Sequence, residues 1–266
     1  MLPNLIIIGA QKCGTSALHF YLEQHPDISM SRPKELDFFV ETKNWRRGLA
    51  WYEKKWPVNT LVRGEASPNY TAYPIFPGVA EKMARTVPEA KLIFLVRDPI
   101  ARIASHYAHN YVLRKEHRDF RAAIFDLSQP YLHRSRYMFQ LDQFLPYYNR
   151  EKILILDSAD LRNDRSTALQ QVFRFLGVND CFASDKFEQE KHQTAKKERM
   201  NALTAWASHN LPRAVFRRLR AILPRGESVA PPRVDEELRA ELEQQLKPDA
   251  DRFRKFCGKS FSHWQV

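Results

Sequence analysis

The sequence predicts an α/β protein of three layers (α/β/α) with a central parallel sheet and a P-loop-like anion-binding loop. Three observations carry this. Short apolar runs at Leu5–Ile8, Leu92–Leu95 and Ile153–Leu156 do not alternate with polar residues, as strands buried on both faces should not. Stretches with helical periodicity separate them, the pattern of successive βα units. The turn after the first run holds Gly9 and Gly14, bracketing a lysine.

Taken in order, Asn4–Gly9 reads as the first buried strand and about Thr15–Gln24 as an amphipathic helix. That helix is stopped by His25-Pro26-Asp27. Residues 31–75, rich in Pro, Trp, Tyr and charge, read as irregular, with short helical pieces near Trp45–Lys55. A helix over 78–87 precedes the second strand, Lys91–Val96. Asp98-Pro99 opens the next helix, with proline at a favoured first-turn position. Tyr137–Tyr148 is a further predicted helix, Lys152–Leu156 the third strand, and Ser166–Leu176 a helix closed by Gly177. Pro224–Pro232 is the nearest approach to a linker, so one domain over 1–266 is expected.

Forty-two Lys and Arg against 31 Asp and Glu leave a formal charge of +11, which favours an anionic partner without choosing one. Three cysteines, Cys13, Cys181 and Cys257, have neither zinc spacing nor the pattern of a disulfide framework. A reducing cytoplasm is the compartment they suggest. No apolar run is long enough to span a bilayer, and no targeting segment is visible. The basic amphipathic stretch 210–223 reads either as a solvated helix or as a peripheral membrane contact.

Candidate chemistry starts in the first loop, Gly9-Ala10-Gln11-Lys12-Cys13-Gly14-Thr15-Ser16. A standard P-loop has lysine after its second glycine; here Thr15 stands there and the lysine comes earlier, at Lys12. The physics is similar. Glycines let the backbone close around an anion, the amides of Gly14, Thr15 and Ser16 open a helix, and Lys12 adds a full charge. A second anion site is predicted after the second strand. Arg97 would lie at its carboxyl end, and Ser105 about two turns into the following helix.

These segments resemble the sulfotransferases that use 3′-phosphoadenosine-5′-phosphosulfate (PAPS), in particular the Golgi-type heparan sulfate enzymes and their bacterial relatives. The resemblance is carried by IIIGAQKCGTSALHFYL from Ile6, PKELDFF from Pro33, GEASPNY from Gly64, LIFLVRDPIARIASHY from Leu92 and ILILDSADL from Ile153. It implies that Lys12, Cys13, Gly14, Thr15, Ser16 and Ala17 bind the 5′-phosphosulfate. Arg97 and Ser105 would hold the 3′-phosphate, and Lys196, Lys197 and Arg199 would cover the nucleotide. Glu35 falls at the place of the catalytic base, and Lys12 would stabilise the leaving phosphate. Ala66 stands where several glycosaminoglycan enzymes carry a lysine, a departure that bears on substrate.

The implied reaction is in-line transfer of a sulfuryl group to a hydroxyl, expected on a glycan or glycoconjugate. 3′-Phosphoadenosine-5′-phosphate (PAP) would be the product, with no metal and no nucleic acid. A lipid, a metabolite or a tyrosine hydroxyl stays open as acceptor. A P-loop-type small-molecule kinase and a non-catalytic basic binding module are the competing readings. Against the first stands the displaced lysine; against the second, the dispersal of the basic residues. His19, His106 and His109 read as packed or surface histidines. The cluster Trp45, Trp51, Tyr52 and Trp56 reads equally as packing or as an acceptor cleft.

Overall fold

The computed structural model describes residues 1–189 and 232–266, together with Thr204, Ala207, Leu211 and Val215. Lys196, Lys197 and Arg199 lie outside the described residues, as does almost all of 210–223 and of Pro224–Pro232.

Five parallel strands form one sheet: β1 (Leu5–Gly9), β2 (Ile28–Met30), β3 (Val62–Ala66), β4 (Lys91–Val96) and β5 (Ile153–Asp157), in the order β2-β3-β1-β4-β5. Leu5 of β1 pairs with Gly64 on one side and Lys91 on the other. Helices flank this sheet, giving the three-layer α/β/α arrangement that the apolar runs imply. Every residue of β1 is buried, as are all but the first of β4, so neither strand has a polar face to show.

The sequence leaves β2 and β3 unread. β2 is three residues long, and β3 reads Val-Arg-Gly-Glu-Ala, with two charges in a strand next to the centre. Tertiary partners make this tolerable. Arg63 turns its guanidinium to the carbonyls of Leu2 and Thr60, and Glu65 is enclosed by hydroxyls.

After β1 comes α1 (Thr15–Leu22), which stops two residues short of expectation. The predicted turns near Trp45–Lys55 surround a short helix α2 (Leu49–Tyr52). The next helix, α3 (Val79–Thr86), lies where the sequence places it. Helix α4 (Pro99–Val112) begins as predicted, with the Asp98 carboxylate accepting from the Ala101 amide at 2.6 Å. Short helices α5 (Phe120–Phe125) and α6 (Pro130–His133) follow.

The predicted helix Tyr137–Tyr148 is only partly formed. Helix α7 (Tyr137–Leu141) is all that forms, and turns carry the chain onward. Pro146 lacks the amide that a continued helix would need there. Helices α8 (Ser158–Asn163) and α9 (Arg165–Leu176) follow β5, and Gly177 closes α9.

The closing helix, Glu236–Cys257, buries Leu238, Leu242, Leu246, Ala250 and Phe253 along one stripe. Its Asp249 carboxylate accepts from the first amides of α7, Met138 at 3.0 Å and Phe139 at 2.8 Å. Beyond it, Trp264 donates to Asp157 at 3.3 Å and the Gln265 amide to Asp98 at 2.5 Å, which ties the tail to the tips of β4 and β5. Among the described residues no helix is long and apolar enough to cross a membrane.

The end of β1 is packed with no slack. A Cβ on Gly9 would lie 1.9 Å from Thr71 Oγ1, and that hydroxyl donates to the Ile8 carbonyl at 3.1 Å. Gly9→Ala must therefore push Thr71 away. It should cost about 2 kcal/mol of folding stability, the scale of other overpacked sites, read from the urea midpoint.

Candidate active site

A parallel sheet brings all its carboxyl ends to one edge, and ligands of such sheets gather where the strand order reverses. Here that point is β1, whose neighbours β3 and β4 lead away in opposite directions. Lys12 follows β1 and Arg97 follows β4. The two strand tips are joined directly, since the Ala10 amide donates to the Leu95 carbonyl at 2.6 Å. The predicted anion sites thus sit side by side.

The loop has the geometry its residues suggest. Gly14 stands before α1 in the left-handed region, at φ 96°, which glycine adopts without penalty. The first two amides of α1, of Thr15 and Ser16, have no intrahelical carbonyl to meet. Within the loop, the Cys13 amide bonds the Ala10 carbonyl at 3.2 Å, and the Ala17 amide bonds that of Gly14 at 3.0 Å. The Cys13 thiol faces the core, 3.7 Å from the Tyr137 hydroxyl, and burial pushes it up to about 11. It is a packing thiol rather than a reactive one.

Tyr137 also fixes Arg97, donating to its carbonyl at 2.7 Å and accepting from its amide at 3.3 Å. On α4, the Ser105 hydroxyl is buried and has no hydrogen-bond partner among the described residues. Buried hydroxyls are nearly always satisfied, so an acceptor belongs there. A phosphate oxygen fits.

Two fully buried residues of α4, Arg102 and His106, support the loop from below. Arg102 donates to Ser135 Oγ at 2.5 Å, to the Tyr131 carbonyl at 2.5 Å, to the Gln11 carbonyl at 3.5 Å and to His106 Nδ1 at 3.4 Å. Burial first, then the charge of Arg102, holds His106 well below the usual histidine range. His19 is packed as well, bonded to the Ser31 carbonyl at 3.3 Å and lowered to about 4, mainly by burial.

Glu35 lies beyond the end of β2, about half exposed, and pairs with Lys34 at 2.6 Å. Its backbone φ is 63°; Asp37 has φ 47° and Lys12 φ 74°. Left-handed conformations cost a non-glycine residue about 1–2 kcal/mol each, so this segment must be held from outside.

The holder is Glu65, which is fully buried. It accepts from Ser67 Oγ at 2.6 Å, from the Tyr70 hydroxyl at 2.5 Å and from the Tyr52 hydroxyl. Ser67 in turn accepts the Asp37 amide at 2.9 Å, and the Tyr70 oxygen the Phe39 amide at 3.4 Å. Tyr52 stacks on Phe38 with centroids 4.0 Å apart. Trp45 also packs on Phe38, Trp56 bonds the Gly64 carbonyl, and Trp51 lies between Arg47 and Lys55. This aromatic group is packing around the segment that carries Glu35.

The sequence reading also missed Arg134, between α6 and α7. It is buried and donates to Gln11 Oε1 at 2.8 Å and to Asn69 Oδ1 at 2.7 Å. Asn69 passes the link on to Asp37 at 2.9 Å, and Asp37 pairs with Lys43. Nothing local marks Arg134, which lies in a stretch without motif. Gln11 and Asn69 do fall inside conspicuous segments. Among the described residues no group of three His, Cys, Asp or Glu is placed to hold a metal ion.

Residues 2–218 match the profile of the sulfotransferase domain family. The chain belongs to this family. It is 30% identical over 202 residues to the mouse bifunctional heparan sulfate N-deacetylase/N-sulfotransferase 4, covering 66% of this chain and 22% of that protein. The human N-deacetylase/N-sulfotransferase 3 is 31% identical over 202 residues, with the same coverage. The chain thus spans about a fifth of the length of these relatives. A solved sulfotransferase from Alicyclobacillus acidocaldarius shares the fold at a TM-score of 0.75, with 24% identity and full coverage of both chains.

Burial raises Glu65 to about 7, against the pull of the Ser67, Tyr52 and Tyr70 hydroxyls. With the folded value above the ordinary 4.5, the folded state holds the extra proton between these limits. Its contribution to stability is therefore complete below about 4.5 and is lost as pH rises through about 7. Glu65→Gln should flatten that decline, measured as urea midpoints from pH 4.5 to pH 8.

Proposed function

We propose that this chain transfers a sulfuryl group from PAPS to a nucleophile on a carbohydrate. The observation that carries it is the pairing of two anion sites on adjacent strand tips, Lys12 with the α1 amides and Arg97 with the orphaned Ser105 hydroxyl. One ligand with phosphate-type groups at both ends of an adenosine satisfies both.

When bound, PAPS supplies a sulfuryl group on a phosphate leaving group. One S–O bond to the phosphate breaks as sulfur bonds the acceptor oxygen. Glu35 takes the acceptor proton, and Lys12 with the loop amides receives the charge left on the phosphate oxygen. Arg97 and Ser105 fix the far end of the nucleotide, which aligns the reacting atoms. Lys196, Lys197 and Arg199 complete the cover in this reading.

The likeness to heparan sulfate enzymes supports a glycan acceptor. Their names specify N-sulfation, so an amine stands beside a hydroxyl as the nucleophile to be tested. Sulfation of a glycan panel with only one kind of nucleophile free would decide between them.

PAP should raise the melting temperature in a concentration-dependent way, and ADP and ATP much less. Stabilisation by ATP over PAP would return the protein to the kinase reading. Lys12→Ala and Glu35→Ala should each lower turnover on the order of a hundredfold or more. Glu35→Ala should leave PAP affinity unchanged, as read by calorimetry.

A further inference from the structure

We propose that Arg134 contacts the sulfuryl group itself during transfer, as a catalytic cation placed between the donor loop and the base. The inference rests on the sulfotransferase reading above and adds a residue to it.

The first argument is charge. Arg134 is only 4% exposed, yet both its hydrogen-bonded partners, Gln11 and Asn69, are neutral amides. Among the described residues no carboxylate forms an ion pair with it, and its Nε has no partner at all. Asn69 stands between the guanidinium and Asp37, whose charge is taken up by Lys43. Burying a cation without neutralising it is expensive. Burial and the neighbouring Arg102 pull Arg134 down to about 9, with Asp37 and Glu35 opposing only through space. Such a cost is met at sites where an anion arrives later.

The second argument is place. Gln11 immediately precedes Lys12, the cation on the leaving side. Asn69 follows β3, and the field of Glu35, on the nucleophile side, reaches the guanidinium. The Gln11 side chain accepts from the Arg134 guanidinium at 2.8 Å, which ties Arg134 to the loop one residue from Lys12. A group passing from the leaving side to the base side crosses the space that Arg134 borders. The planar fork of a guanidinium suits two oxygens of a sulfuryl group.

Arg102 makes the contrast. It is equally buried, but it hydrogen-bonds through all three nitrogens, as an arginine with a purely structural duty should. Arg134 keeps a donor in reserve.

Arg134→Lys and Arg134→Gln test this in the full chain. Turnover should fall on the order of a hundredfold in the glutamine variant, with partial recovery in the lysine variant. PAP, which lacks the sulfuryl group, should bind within about twofold of wild type, while the preference for PAPS over PAP shrinks. Turnover within about threefold of wild type in the glutamine variant overturns the role, and so does an equal loss of PAP and PAPS affinity.

If neither variant folds, the wild-type chain crystallised with PAPS decides. A sulfuryl oxygen on the guanidinium is expected; a guanidinium still closed on Gln11 and Asn69, with the sulfuryl group elsewhere, sinks the proposal. Absence of any PAP effect on wild-type melting would instead refute the sulfotransferase reading as a whole. Active Arg134 variants beside an inactive Lys12→Ala would refute Arg134 alone.

Discussion

The whole site depends on the direction of the strands. Because all five run parallel, β1, β2, β3 and β4 deliver their following loops to the same edge. Lys12, Glu35, Asn69 and Arg97 each come from a different strand tip, and no two of the four are near in sequence. An antiparallel arrangement would send half of them to the opposite side. Placing β1 between β3 and β4 then sets the Lys12 loop at the centre, with the loops that carry Glu35 and Asn69 on one flank and Arg97 on the other.

The central residues pay twice for this arrangement, in backbone strain and in desolvation. Lys12, Glu35 and Asp37 adopt left-handed backbones, and Arg102, Arg134 and Glu65 are buried charges. The offset comes from structures built for the purpose. Glu65 and its three hydroxyl donors grip the segment around Asp37 and Phe39, and the β1–β4 hydrogen bond fixes the loop entrance. Rigidity here suits the in-line transfer proposed above, which needs nucleophile and leaving group held on one line.

Much of this was legible in the chain. The apolar runs gave β1, β4 and β5, because strands buried on both faces cannot hide their composition. The glycine-lysine loop and the Arg97–Ser105 spacing are local patterns, and local patterns survive in sequence. β2, β3 and the Glu65 hub did not show. A buried glutamate reads as a surface residue until its tyrosine partners are seen, and these come from Tyr52 and Tyr70, outside the strand. Arg134 is hidden for the same reason, since its meaning lies in Gln11 and Asn69, which are far from it in sequence. The early end of α7 is different: Pro146 stands in the sequence and cannot supply the amide that a longer helix needs.

The pairing of Leu5 with both Gly64 and Lys91 has a consequence for how the molecule assembles. β1 needs two partners made later in the chain, so the sheet centre cannot close until β4 has been synthesised. Such distant pairings slow folding and leave an aliphatic strand exposed meanwhile. The edge that brings Lys12 and Arg97 side by side is therefore a late product of folding.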